Sequence, residues 1–140
     1  MLPFPGNSGQ QQRVANTLRS LKLYFHITFL TVSTKIKNEK IKNELLKHCD
    51  RAILMPSLYD KTIFHKVFYK LYAYFFSIIS GLKPSNFIFG KLEFSFKRLK
   101  NHVHDIEDFD LFLFEYFHSY ETAIEIKNMG KTVCLDTHNI

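Results

Sequence analysis

Phe109-Asp110-Leu111-Phe112-Leu113-Phe114-Glu115 decides the fold class. Its four consecutive apolar residues, held between Asp110 and Glu115, predict a central parallel strand buried on both faces. Reading onward, residues 119–129 predict a helix that stops at Gly130, a natural residue just past a helix end. Residues 133–135 predict a last strand, with Asp136-Thr137-His138-Asn139 at its carboxyl end. Reading back, Leu92, Phe96, Leu99 and Val103 recur at intervals of four, three and four and predict a helical face.

The same alternation runs back towards the start. Val14, Leu18 and Leu21 mark a first helix beginning near Gly9 or Gln10, with Ser8 as its N-cap. Residues 26–32 predict a strand, because β-branched and aromatic residues run together there. Residues 35–48 predict a charged helix with Ile41, Leu45 and Cys49 on one side. Residues 52–55 form a short apolar run before Pro56, which predicts another parallel strand. A helix follows over residues 61–80, capped by Asp60, striped by Phe64, Val67, Leu71, Phe75 and Ile78, and stopped by Gly81 and Pro84. That stripe is expected in the core or at a domain interface. Strands alternating with helices imply an α/β chain with a Rossmann-like, doubly wound parallel sheet.

Composition bounds the possible functions. The 140 residues suit one domain, 1–140. With 15 Phe and 7 Tyr but no Trp, the chain has the apolar content of a packed fold. The net charge of +6 favours anionic partners. Yet Lys35, Lys37, Lys40, Lys42, Lys47 and Arg51 are interleaved with Glu39, Glu44 and Asp50, the pattern of a solvated helix face. No nucleic-acid-binding motif accompanies the charge, so no nucleic acid is expected as a partner. Cys49 and Cys134 are expected to be buried, reduced thiols in a cytoplasmic protein, since the start lacks the basic and apolar regions of a signal peptide. Residues 63–82 are apolar but include His65, Lys66 and Lys70. The uncharged part, 71–82, falls short of the roughly 20 residues a spanning helix needs, and is expected to be soluble or to lie on a surface.

Ligands of open α/β sheets bind beyond the carboxyl ends of the strands, where three polar clusters fall. In the first, residues 6–12 enter a helix, where glycines and free amides suit an anion and Arg13 lies nearby. The second is Glu115-Tyr116-Phe117-His118, suited to a hydroxylated ligand, with helix capping as the rival role for Glu115. In the third, His138 suits a hydrogen bond to a sugar hydroxyl, with a loop or capping role as its rival. Asp136 there is expected to bond neighbouring backbone. No zinc set, nucleophile elbow or phosphate-binding P-loop occurs, and neither metal nor cofactor is expected.

Four stretches together resemble a known family. Pro3-Phe4-Pro5-Gly6-Asn7-Ser8-Gly9-Gln10-Gln11-Gln12-Arg13-Val14 resembles the opening loop and first helix of family-4-type glycosyltransferases of the GT-B fold. Phe25-His26-Ile27-Thr28-Phe29-Leu30-Thr31 is similar to their second strand, Phe109 to Tyr116 to their "fDlv..e" strand, and Thr132-Val133-Cys134-Leu135-Asp136-Thr137-His138-Asn139-Ile140 to their "pvvld.HN" strand and loop. The resemblance implies transfer of a sugar from a nucleotide sugar to a hydroxylated, possibly lipid-linked acceptor, without a metal. It assigns Gly6, Ser8, Gly9, Gln10 and Arg13 to the donor phosphates, His138 to the transferred sugar, and Glu115, Tyr116, His118 and Asn139 to the acceptor side.

Only Met1 and Leu2 precede Pro3, where the family has its first central strand, so that strand is expected to be truncated. The nucleotide-binding C-terminal half is expected to be absent, and the chain alone inactive. The rival functions are a non-catalytic binding subunit and a peripheral protein of an anionic membrane surface, at the inner face.

Overall fold

Ser8 caps the first helix, α1 (Gly9–Leu21), as the sequence predicts, and Gln11 completes a capping box with it. Ser8 Oγ accepts from the Gln11 amide at 3.3 Å, and Gln11 Oε1 accepts from the Ser8 amide at 3.2 Å. This reciprocal pair satisfies amides that a helix start otherwise leaves open. The computed structural model describes residues 8–33, 39–115 and 117–136. The chain is α/β, and its strands form two separate parallel ladders of two strands each. By contacts it divides into two compact units, residues 1–57 and 58–140.

In the first unit β1 (Thr28–Ser33) pairs with β2 (Arg51–Pro56), from Thr28 opposite Arg51 to Ser33 opposite Pro56. The connection includes α2 (Glu39–Leu46), which packs on β2. Asp50 sets the register. Its carboxylate accepts from the Ile27 amide at 2.7 Å, while the amides of Asp50 and Arg51 both donate to the Ile27 carbonyl. The Ile27 amide holds the Asp50 carboxyl below its ordinary pKa, and His26 adds to the effect. Leu45, Cys49 and Met55 are buried, in line with the periodicity of the charged helix and the apolar run. Cys49 Sγ donates to the Leu45 carbonyl, and burial pushes the thiol pKa up. Cys134, expected to be buried, is exposed, because β4 below turns alternate residues to an open face.

The second unit begins with α3 (Ile63–Ser80). Thr62 caps it, not Asp60: the Thr62 hydroxyl accepts from the His65 amide, while Asp60 pairs with Lys66 at 2.8 Å. Gly81 ends it at φ +70°, a backbone shape that glycine alone adopts without strain. The expected stripe points the wrong way for a core. Phe64, Val67, Leu71, Phe75 and Ile78 are all exposed, and only Ala73 is buried. The helix meets its own unit through another side, where Phe76 approaches the Phe87 ring at 5.4 Å, while Tyr72, at the edge between the two sides and still 53% exposed, approaches it at 5.1 Å. Among the described residues no helix is long and apolar enough to cross a membrane.

The single helix expected around Leu92, Phe96, Leu99 and Val103 is two elements. A π-helix, Asn86–Glu93, ends before α4 (Phe96–His102) starts. The buried Glu93 fixes this break. Its carboxylate pairs with Arg98 and accepts from the amides of Leu58 and Tyr59 at 3.2 and 2.8 Å.

Beyond a short 3-10 turn, β3 (Leu111–Phe114) pairs in parallel with β4 (Thr132–Leu135), through α5 (Tyr120–Asn128). α5 packs on β4 and buries Thr122, Ala123 and Ile126; Gly130 follows it at φ +80°. β3 is not buried on both faces: Leu111 and Leu113 are each 39% exposed, and their β4 partners Thr132 and Cys134 are exposed too. Four apolar residues in a row reflect a two-stranded ladder covered on one side.

Candidate functional site

All three predicted clusters contain described residues: the first lies in the first unit, and the second, with Asp136 of the third, in the second unit. At the start of α1, Ser8 is committed to its capping box, and the Gln12 amide donates to the Ser8 carbonyl at 3.0 Å. Gly9 and Gln10 form the first turn. Gly9, Gln12, Arg13, Asn16, Thr17 and Ser20 line one side of a shallow, open groove along the helix. Arg13 is half-buried there. The feature amounts to a shallow groove with one arginine beside a helix start, with the hydroxyl of Ser8 already used locally. Gly6 lies outside the described residues.

The second cluster sits at the carboxyl ends of β3 and β4. Phe114 pairs with Leu135, and the Asp136 amide donates to the Phe114 carbonyl at 2.8 Å. Glu115 and Asp136 therefore leave neighbouring parallel strands side by side. The backbone bond of Asp136 extends the ladder by one rung. Glu115 is half-buried, and Ser119, at the start of α5, makes no side-chain cap.

His118 follows in a 3-10 turn, Phe117–Ser119, with its ring 5.7 Å from the Phe89 ring at 31°. Burial lowers the His118 pKa and the nearby Lys83 charge lowers it further, so the imidazole is neutral at pH 7. The turn is held by contact with the π-helix: a Cβ on Gly90 would collide with the His118 carbonyl oxygen. Glycine is required here for close backbone approach, a signal that an isolated Gly90 in an apolar segment does not give.

Tyr116, His138 and Asn139 lie outside the described residues, as does the remainder of the third cluster apart from Asp136. Two neighbours of His118, Phe89 and Lys83, were not among the predicted site residues. They arrive from the π-helix and the loop before it, far from His118 in sequence. Tyr120 adds a phenol whose pKa is raised by burial and by Glu121, to which it donates at 3.2 Å. Among the described residues no three His, Cys, Asp or Glu side chains cluster as metal ligands.

The site thus offers a carboxylate, a neutral imidazole and an aromatic ring beside a parallel strand end. Such a set hydrogen-bonds hydroxyl groups and stacks on a sugar face. No family model matches the chain, and neither a curated protein nor a solved structure matches it.

Proposed function

We propose that the chain is the acceptor-side domain of a glycosyltransferase of the GT-B type, which moves a sugar from a nucleotide sugar to a hydroxylated acceptor. The observation that carries the reading is the parallel β3–β4 pair, whose carboxyl ends set Glu115 beside Asp136 with His118 in the next turn. Strand ends of parallel sheets are where such folds bind ligands. The four sequence stretches resembling the family support the reading independently of that geometry.

In this reaction the acceptor oxygen bonds to the anomeric carbon as the bond from that carbon to the diphosphate breaks. Glu115 and the neutral His118 orient the acceptor hydroxyl by hydrogen bonds, and Phe89 lies against its ring. Arg13 and the amides at the start of α1 are assigned the separate role of meeting the donor phosphates. His138 is assigned to the transferred sugar, and Tyr116 and Asn139 to the acceptor side, by the resemblance alone. The reading carries with it one doubly wound, Rossmann-like sheet, to which both parallel ladders belong.

Amide chemical-shift mapping tests the site. Titration with alkyl glycosides and short polyprenyl phosphates is expected to move the amides of Glu115, His118 and Asp136, and Glu115→Gln with His118→Ala to abolish the response. A panel that moves none of these amides overturns the acceptor role. Cross-strand proton contacts joining the two ladders test the sheet; two ladders with no shared strand would contradict it.

A further inference from the structure

The outer side of α3 is apolar along its whole length. Phe64, Val67, Phe68, Leu71, Tyr72, Tyr74, Phe75, Ile78 and Ile79 are each more than half exposed, and Phe64 and Ile78 reach 82%. Isolated surface apolar residues need no explanation, but a continuous strip on one helix does. The side that meets the rest of the unit is narrow: Ala73 is buried, and His65, Tyr69, Phe76 and Ser77 are half-buried. The amphipathic helix therefore presents its richer apolar face outward, inverting the usual arrangement.

Charge distinguishes the possible occupants. The helix carries no carboxylate, while Lys61, Lys66 and Lys70 lie before and along it and Lys83 lies just beyond Gly81. Lys66 is held by Asp60 and lies over the Tyr59 ring, while Lys61, Lys70 and Lys83 are exposed. An apolar, aromatic face edged by Lys61, Lys70 and Lys83, with Asp60 taken up by Lys66 and no carboxylate on the helix itself, complements a surface that is apolar within and anionic at its rim. Tyr72 and Tyr74 add rings with polar tips, the side chains that settle at the boundary of lipid and water. With 18 residues interrupted by His65, Lys66 and Lys70, α3 fits a helix lying in that boundary and not one crossing it.

We infer that α3 docks flat on an anionic phospholipid surface, its outer strip sunk among the acyl chains and its lysines at the headgroups. This inference is independent of the transferase reading, which rests on β3 and β4, and its test uses lipid alone.

The full chain is floated with vesicles of phosphatidylcholine alone or with phosphatidylglycerol added. Flotation is expected with the anionic vesicles, weakening at high salt. Lys61→Gln and Lys70→Gln are each expected to weaken it by about fivefold, the equivalent of roughly 1 kcal/mol per cation near the surface. Leu71→Glu with Phe75→Glu is expected to abolish it while leaving the circular dichroism unchanged, since both positions are exposed. Absence of flotation with anionic vesicles overturns the proposal. So does flotation that survives Leu71→Glu with Phe75→Glu. A stable dimer in light scattering that this double variant dissociates, without vesicle binding, would assign the face to a second copy and also overturn it.

Discussion

Glu93 shows how much one buried carboxylate organises. It holds Arg98 on one side and the Leu58 and Tyr59 amides on the other, with its side chain only 3% exposed. Replacing it by glutamine leaves the Arg98 charge buried without its counter-ion. Glu93→Gln is expected to lower unfolding free energy by about 3 kcal/mol, measured by urea denaturation. His118 governs a second dependence. Its folded pKa lies below the ordinary imidazole value of about 6.5. Above that value the ring is neutral in both states and pH has no leverage. Below it the unfolded chain binds the proton more readily, so stability falls as the solution is acidified. His48, lowered by burial and by Arg19, acts in the same direction. Melting curves between pH 7 and pH 5 are expected to show this decline, and His118→Gln to make it shallower. None of these residue roles is legible in the sequence. Glu93 and Arg98 are five apart, a spacing that puts them on different sides of a continuous helix. They meet only because the π-helix stops between them.

Elements were legible where local chemistry acts alone. Ser8 reads as an N-cap, and Gly81 and Gly130 mark helix ends, so α1, α3 and α5 fall close to where periodicity and these stops put them. Ser8→Ala is expected to cost about 1 kcal/mol, seen as a lower thermal midpoint and faster hydrogen exchange in the first turn of α1. The π-helix was not legible, since Leu92, Phe96, Leu99 and Val103 keep helical spacing across a break that only tertiary contacts create. Its contact with the 3-10 turn makes Gly90 the sensitive position: Gly90→Ala is expected to destabilise by about 1–3 kcal/mol and to shift the His118 amide resonance. A variant as stable as the parent, with an unmoved His118 signal, would mean the two backbones are further apart than described.

For the whole molecule, alternation in the sequence yields the α/β class and the parallel direction of the strands, but not the burial of the α3 stripe or of the β3 face. Period reveals that a helix has an apolar side; it does not say whether that side turns inward. Both α3 and the Leu111–Leu113 face of β3 turn theirs out. Leu71→Lys with Ile78→Lys is therefore expected to raise solubility severalfold in detergent-free buffer without lowering the thermal midpoint, as ultracentrifugation and light scattering would show. The Glu93 anchor also has a consequence in time. Leu58 bonds to a residue 35 positions later in the chain. At a ribosomal rate of about 5–20 residues per second, the stretch that begins at Leu58 and carries α3 waits roughly 2–7 seconds for Glu93 to be made. During that interval it is a loose, greasy, cationic segment, and whatever it first adheres to competes with the completion of its own unit.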